Sequence, residues 1–158
     1  GSQEYGKRAG TLNVPAIVSM AIALKESVDN MRKESEKILS LRNRLINELL
    51  IIPHSYLNGS RENRLPNNVN IRFDDVEGET LVQMLSARGI MLSSGSACSE
   101  RKSEASHVLR AIGLTDKQAN ESIRISLSHE NTIDEIDYIV SNIKECVTAL
   151  RDMVKEMY

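Results

Sequence analysis

The chain has no tryptophan, one phenylalanine and four tyrosines among its 158 residues, so it offers no aromatic platform on which bases could stack. Its formal charge of −2 gives no general attraction toward nucleic acid or an anionic membrane. No apolar run approaches the ~20 residues that cross a bilayer, and no secretory leader pattern opens the chain. Cysteine is scarce. Cys98 and Cys146 stand far apart, form no disulfide framework and have no zinc-ligand spacing, which fits a reducing cytoplasm. Nucleotide-binding glycine patterns of the Walker or dinucleotide type are absent. What is present is ordinary for a globular domain: 41% apolar and 27% charged residues, with length for one domain and a real core.

The first ten residues are polar, punctuated by glycine and basic at Lys7-Arg8, and read as an arm closed by Gly10-Thr11. A long helix is predicted from about Pro15, a residue suited to a first helical turn, to Pro53. Ile17, Met20, Ala21, Leu24 and Val28 keep one face, which Met31, Ile38, Leu41, Leu45, Leu49 and Ile52 continue. The charged middle, Arg32 to Lys37, is a solvated segment. Tyr56–Gly59 reads as a short strand. Residues 68–73 alternate, with Val69, Ile71 and Phe73 to one side and Asn68, Asn70 and Arg72 to the other, so a strand with one buried face is predicted. Residues 79–87 form a short helix with Gly89 placed as its C-terminal cap. Gly89-Ile90-Met91-Leu92 reads as a further strand. Short helices over 106–112 and 115–121 follow, then an alternating strand over 122–128. The last helix opens with the capping-box spacing of Thr132 and Glu135 and carries Ile136, Ile139, Val140, Ile143, Val147, Leu150 and Val154 on one stripe. Cys146 shares that stripe and reads as core. The expected architecture is a three- or four-stranded sheet packed against helices, with long helices near both ends.

Chemistry concentrates at two positions. The stretch Ser93-Ser94-Gly95-Ser96-Ala97-Cys98-Ser99-Glu100 reads as a solvated loop of small residues after a strand. A thiol in such a loop is either a nucleophile or an idle surface cysteine. Arg101 and Lys102 favour the thiolate, and Glu100 and Glu104 partly offset them. Arg124 sits on the polar side of an apolar strand, where its planar fork suits either a ligand's carboxylate or phosphate or an acidic residue of this chain. Asn68 and Asn70 brace a sheet edge in this reading, with no signal of catalysis. His54, His107 and His129 lack the context of a peptidase base, and Cys98 with Arg101 does not make a phosphatase loop.

The segment Ser93–Cys98 resembles the active-site cysteine loop of cysteine desulfurases, the pyridoxal-phosphate enzymes of the class V aminotransferase type. Gln3–Thr11, Leu65–Ile71, Ser106–Gly113 and Ile123–Ser128 resemble further segments of that family, in order along nearly the whole chain. The resemblance implies the α+β small domain of an α/β enzyme, with residues 1–14 as an arm and residues 15–158 as the domain. It implies that Cys98 takes the sulfur of L-cysteine as a persulfide, that Arg124 holds the substrate carboxylate, and that Thr11 reaches the cofactor phosphate of the opposite subunit in a homodimer. Alanine would leave, and the sulfur would pass to an acceptor protein, an iron–sulfur scaffold or a tRNA-thiolation enzyme. The other reading, from a different class, is a sulfur-carrying or scaffold-binding module without catalysis.

The family's cofactor lysine lies in a Ser-x-His-Lys segment that none of the eight lysines here reproduces. The expectation is therefore a piece that binds no pyridoxal phosphate and does not turn over cysteine alone. The arm is expected to be unordered or to pack on a neighbouring copy. The purified chain should show no visible absorbance from a lysine-bound cofactor; a band at that position contradicts this.

Overall fold

The computed structural model describes residues 1–94 and 105–156. The chain divides into two compact units, Gly1–Glu34 and Ser35–Tyr158. The boundary falls in the charged middle of the first helix, where no apolar side chain is available to bury.

In the first unit, a 3₁₀ turn at Gln3–Gly6 precedes helix α1, Val14–Leu49. Asn13 starts α1 by accepting the Ala16 N–H on its Oδ1 at 3.1 Å, with Pro15 in the first turn. Every residue from Gly1 to Lys33 is exposed, including Ile17, Met20, Leu24, Val28 and Met31. Of the apolar positions read from the sequence for this helix, those that are buried come late, at Leu41, Leu45 and Leu49.

The second unit holds the core. The remaining elements are β1 (Ser55–Leu57), β2 (Asn68–Phe73), α2 (Gly78–Ser86), α3 (His107–Ala111), α4 (Asp116–Asn120), β3 (Ser122–Ser126) and α5 (Ile133–Glu156). The strands form an antiparallel sheet of order β1-β2-β3 among the described residues. β2 is central, so Asn68 and Asn70 lie on an inner strand and not at the edge expected for them. Its alternation sends Val69, Ile71 and Phe73 into the core with no exposed surface. There they join Leu45, Ile46 and Leu49 of α1, Leu81 and Leu85 of α2, Ile123 and Ile125 of β3, and Ile136, Ile143 and Val147 of α5. Cys146 lies in the same cluster, fully buried, and burial raises its thiol above the ordinary cysteine range. A smaller cluster of Ala105, Leu109 and Ala119 joins α3 to α4.

Several boundaries differ from the sequence reading, among them β1, which runs over Ser55–Leu57 and not Tyr56–Gly59. α1 ends at Leu49, where Ser55 Oγ lies 2.8 Å from the carbonyl oxygens of both Leu49 and Ile52 and its one proton is available to either, and Pro53 disfavours helix in the residue before it. Residues 89–92 form no strand. Gly89, at φ +79°, closes α2 by donating to the Ser86 carbonyl, and Ile90 donates to Leu85. The cap occupies the chain there, so pairing with β3 begins only at Ser93. β3 stops at Ser126, two residues short of the predicted end. The last helix starts as its spacing requires: Thr132 N–H donates to Glu135 Oε2 at 2.9 Å and Glu135 N–H to Thr132 Oγ1 at 3.3 Å.

Gly78 opens α2 where a Cβ would lie 2.7 Å from the Ser122 carbonyl oxygen and 2.8 Å from that of Asn120. Both are backbone atoms, so Gly78→Ala should lower stability by about 1–3 kcal/mol, read from denaturant unfolding; an unchanged midpoint refutes that packing. Cys146 should resist a thiol reagent in the folded chain and react in denaturant, as counted by intact mass.

Candidate functional site

Alternation leaves β2 and β3 with a polar face opposite the core. Asn68, Asn70 and Arg72 of β2 are half-buried there, and Arg124 and Ser126 of β3 are exposed. Tyr56 of β1 lies under the Arg72 guanidinium at 4.1 Å, and Arg72 pairs with Asp74 at 3.2 Å. That arginine is occupied.

Arg124 is not. Its backbone pairs with Ser93, Arg124 N–H to Ser93 O at 2.7 Å and Ser93 N–H to Arg124 O at 3.2 Å. Its Nη2 reaches Ser93 Oγ at 3.4 Å. Among the described residues it has no carboxylate partner. The intrachain ion pair that the sequence left open is absent there, and the guanidinium fork stands in solvent. The Ser93 bridge fixes the strand end to the segment that runs on toward Cys98. Cys98 itself lies outside the described residues, as do Gly95 to Glu104. Thr11 belongs to the Gly1–Glu34 unit, exposed in an irregular stretch ahead of α1.

Behind Arg124 the face is braced by a polar chain that the sequence did not reveal. Asn58 is buried, and its Nδ2 donates to Asn70 Oδ1 at 2.7 Å and to Ser122 Oγ at 2.9 Å. Ser122 Oγ donates to the Gln118 carbonyl at 2.6 Å. Arg64 ties the preceding loop down, donating to the carbonyls of Ser60 and Asn58. Burial and the neighbouring Arg42 hold the Arg64 guanidinium below its ordinary value. The only advance signal for this network was polar side chains at every second position of the strand.

A lysine-bound cofactor needs an amine withdrawn from water, and no described lysine provides one. Lys7, Lys25, Lys33, Lys37, Lys117, Lys144 and Lys155 are all exposed. Lys117, hydrogen-bonded to Asp75 and near Glu121, is pushed above its ordinary value, the opposite of what an imine-forming lysine requires. The described residues do not fit pyridoxal phosphate by themselves. Nor, among them, does any cluster of His, Cys, Asp and Glu suit a metal. No described helix is long and apolar enough to cross a membrane.

A family model described as aminotransferase class-V matches residues 2–139. Cysteine desulfurase IscS of Histophilus somni (strain 129Pt) is 46% identical over 153 residues, which make up 97% of this chain and 37% of that protein. A solved NifS-like protein is 34% identical with a TM-score of 0.81, covering 94% of this chain and 37% of its own. The NifS-like protein from Rickettsia africae ESF-5 is 32% identical with a TM-score of 0.79, covering 92% of this chain and 38% of its own. The chain therefore spans well under half the length of the relatives it matches. By sequence and by fold alike, it belongs to the class V aminotransferase family, as a homologue of the IscS/NifS-like cysteine desulfurases.

Proposed function

We propose that this chain supplies the sulfur-accepting thiol and the substrate clamp of a cysteine desulfurase. The observation that supports it most directly is Arg124, an exposed guanidinium on the polar sheet face with no acidic partner among the described residues. An arginine left unpaired beside half-buried amides is suited to a small carboxylate, and the amino-acid substrate named for the relatives carries one. In this reading Arg124 orients L-cysteine by its carboxylate, and Cys98 is the nucleophile that receives its sulfur. The overall exchange is L-cysteine plus the Cys98 thiol giving L-alanine plus the Cys98 persulfide; the C–S bond of the substrate breaks and an S–S bond forms. The persulfide then passes its outer sulfur to an acceptor protein, an iron–sulfur scaffold or a tRNA-thiolation enzyme.

The pyridoxal phosphate of the family is held, in this proposal, by parts of the protein beyond this chain. The exposed lysines here support that assignment. Thr11 would contribute to the phosphate site of the opposite subunit in a homodimer. By itself the chain would release no alanine.

In the full-length protein, Cys98→Ser should abolish alanine release from L-cysteine. Arg124→Ala should raise KM for L-cysteine at least about tenfold, the scale of a lost hydrogen bond to a charged group. Alanine release at the native rate from the Cys98→Ser protein overturns the nucleophile. An unchanged KM for Arg124→Ala overturns the clamp.

A further inference from the structure

The amide of Asn70 has a fixed orientation, and what fixes it is the polar chain beneath it. The Gln118 carbonyl can only accept, so the Ser122 hydroxyl must spend its proton there. Ser122 Oγ is then left to accept, and the group that Asn58 offers it must be Nδ2. The same Nδ2 meets Asn70, so Asn70 must present Oδ1 to it, at 2.7 Å. The Nδ2 of Asn70 is thereby left as a donor, and no acceptor among the described residues takes it. Three successive hydrogen bonds thus set the amide without reference to any ligand.

That donor stands beside Arg124. Asn70 and Arg124 are directly opposed in the β2–β3 ladder. Because the Arg124 N–H and C=O both go to Ser93 on the other side, the Asn70–Arg124 pair is of the non-hydrogen-bonded kind. In such pairs the Cα atoms come to about 4.5 Å and the side chains stand closest. Both side chains rise from the polar face, since Val69, Ile71, Ile123 and Ile125 take the core side. Asn70 is half-buried, so its amide loses little further mobility on taking a ligand.

We propose that Asn70 is a second carboxylate-binding residue, its Nδ2 donating to the substrate carboxylate whose other contact is Arg124, with Asn58 and Ser122 as the positioning residues that aim it. The inference rests on the reading of Arg124 as the substrate clamp and extends it. A carboxylate has two oxygens with about four lone-pair sites, enough for a guanidinium and an amide at once. The pairing also selects against ligands without an anionic end. An uncharged group would leave the guanidinium unneutralised, and a cation would meet donors only.

The test compares Asn70→Asp, Asn70→Ala and Arg124→Ala in the full-length desulfurase, reading KM for L-cysteine, kcat and the thermal midpoint of each. Asn70→Asp is the informative change. It keeps the oxygen that Asn58 requires, replaces the donor with a second oxygen, and sets a negative charge beside Arg124. It should raise KM more than about tenfold, with kcat within about twofold of native and an unchanged thermal midpoint. Asn70→Ala should raise KM by a smaller factor, because it removes the donor without adding repulsion. A residue that only supports the sheet would instead lower the midpoint and shift kcat and KM together. If Arg124→Ala raises KM while folded Asn70→Asp leaves it at the native value, the inference is overturned and the clamp stands. If Arg124→Ala leaves KM unchanged, the clamp and this inference fall together. Should Asn70→Asp not fold, Asn70→Ser, whose hydroxyl is too short to replace Nδ2, is judged by the same KM criterion.

Discussion

The two-sidedness of β2 is the constraint on which the rest of the structure depends. Three of its six side chains have no exposed surface and hold the sheet to α1, α2 and α5. Because side chains alternate along a strand, burying these three forces Asn68, Asn70 and Arg72 onto the opposite face. A one-residue slip would exchange the two sets, placing an arginine and two amides in an aliphatic core. The register that protects the core is therefore also the register that builds the polar surface. Across the ladder, the same requirement on Ile123 and Ile125 leaves Arg124 outward and opposite Asn70.

The polar face is then ordered by hydrogen bonds rather than by packing. The two arginines on it differ in what surrounds them. Arg72 is satisfied by a tyrosine face and a carboxylate, and so is structural. Among the described residues, Arg124 is held only through its backbone and one serine hydroxyl. This contrast, between side chains of one type on adjacent strands, is what separates a bracing residue from one open to a ligand.

Every described lysine is in solvent, and the cation on the polar face without an acidic partner among the described residues is Arg124. An arginine fork matches a carboxylate in charge and geometry, whereas imine formation needs an amine. The exposed apolar residues of Gly1–Glu34, among them Met20, Leu24 and Met31, are likewise those of a helix face that the unit does not itself bury.

By itself the sequence determined the strand at 68–73, the start of the strand at 122, the long first and last helices, the capping box at Thr132, the core role of Cys146 and the outward position of Arg124. Each follows from a local period or a short-range hydrogen bond, and these are set by neighbours a few residues away. Tertiary structure decided the rest. Residues 89–92 have strand composition, yet the cap of α2 uses the chain before pairing can start, and Asn70 proved to lie on the central strand. Its link to Asn58 and Ser122 joins positions 12 and 52 residues away in sequence, which no local pattern encodes. Hydrogen bonds of that span exist only once the strands have been brought together, so the orientation of the amide beside Arg124 is a property of the folded sheet alone.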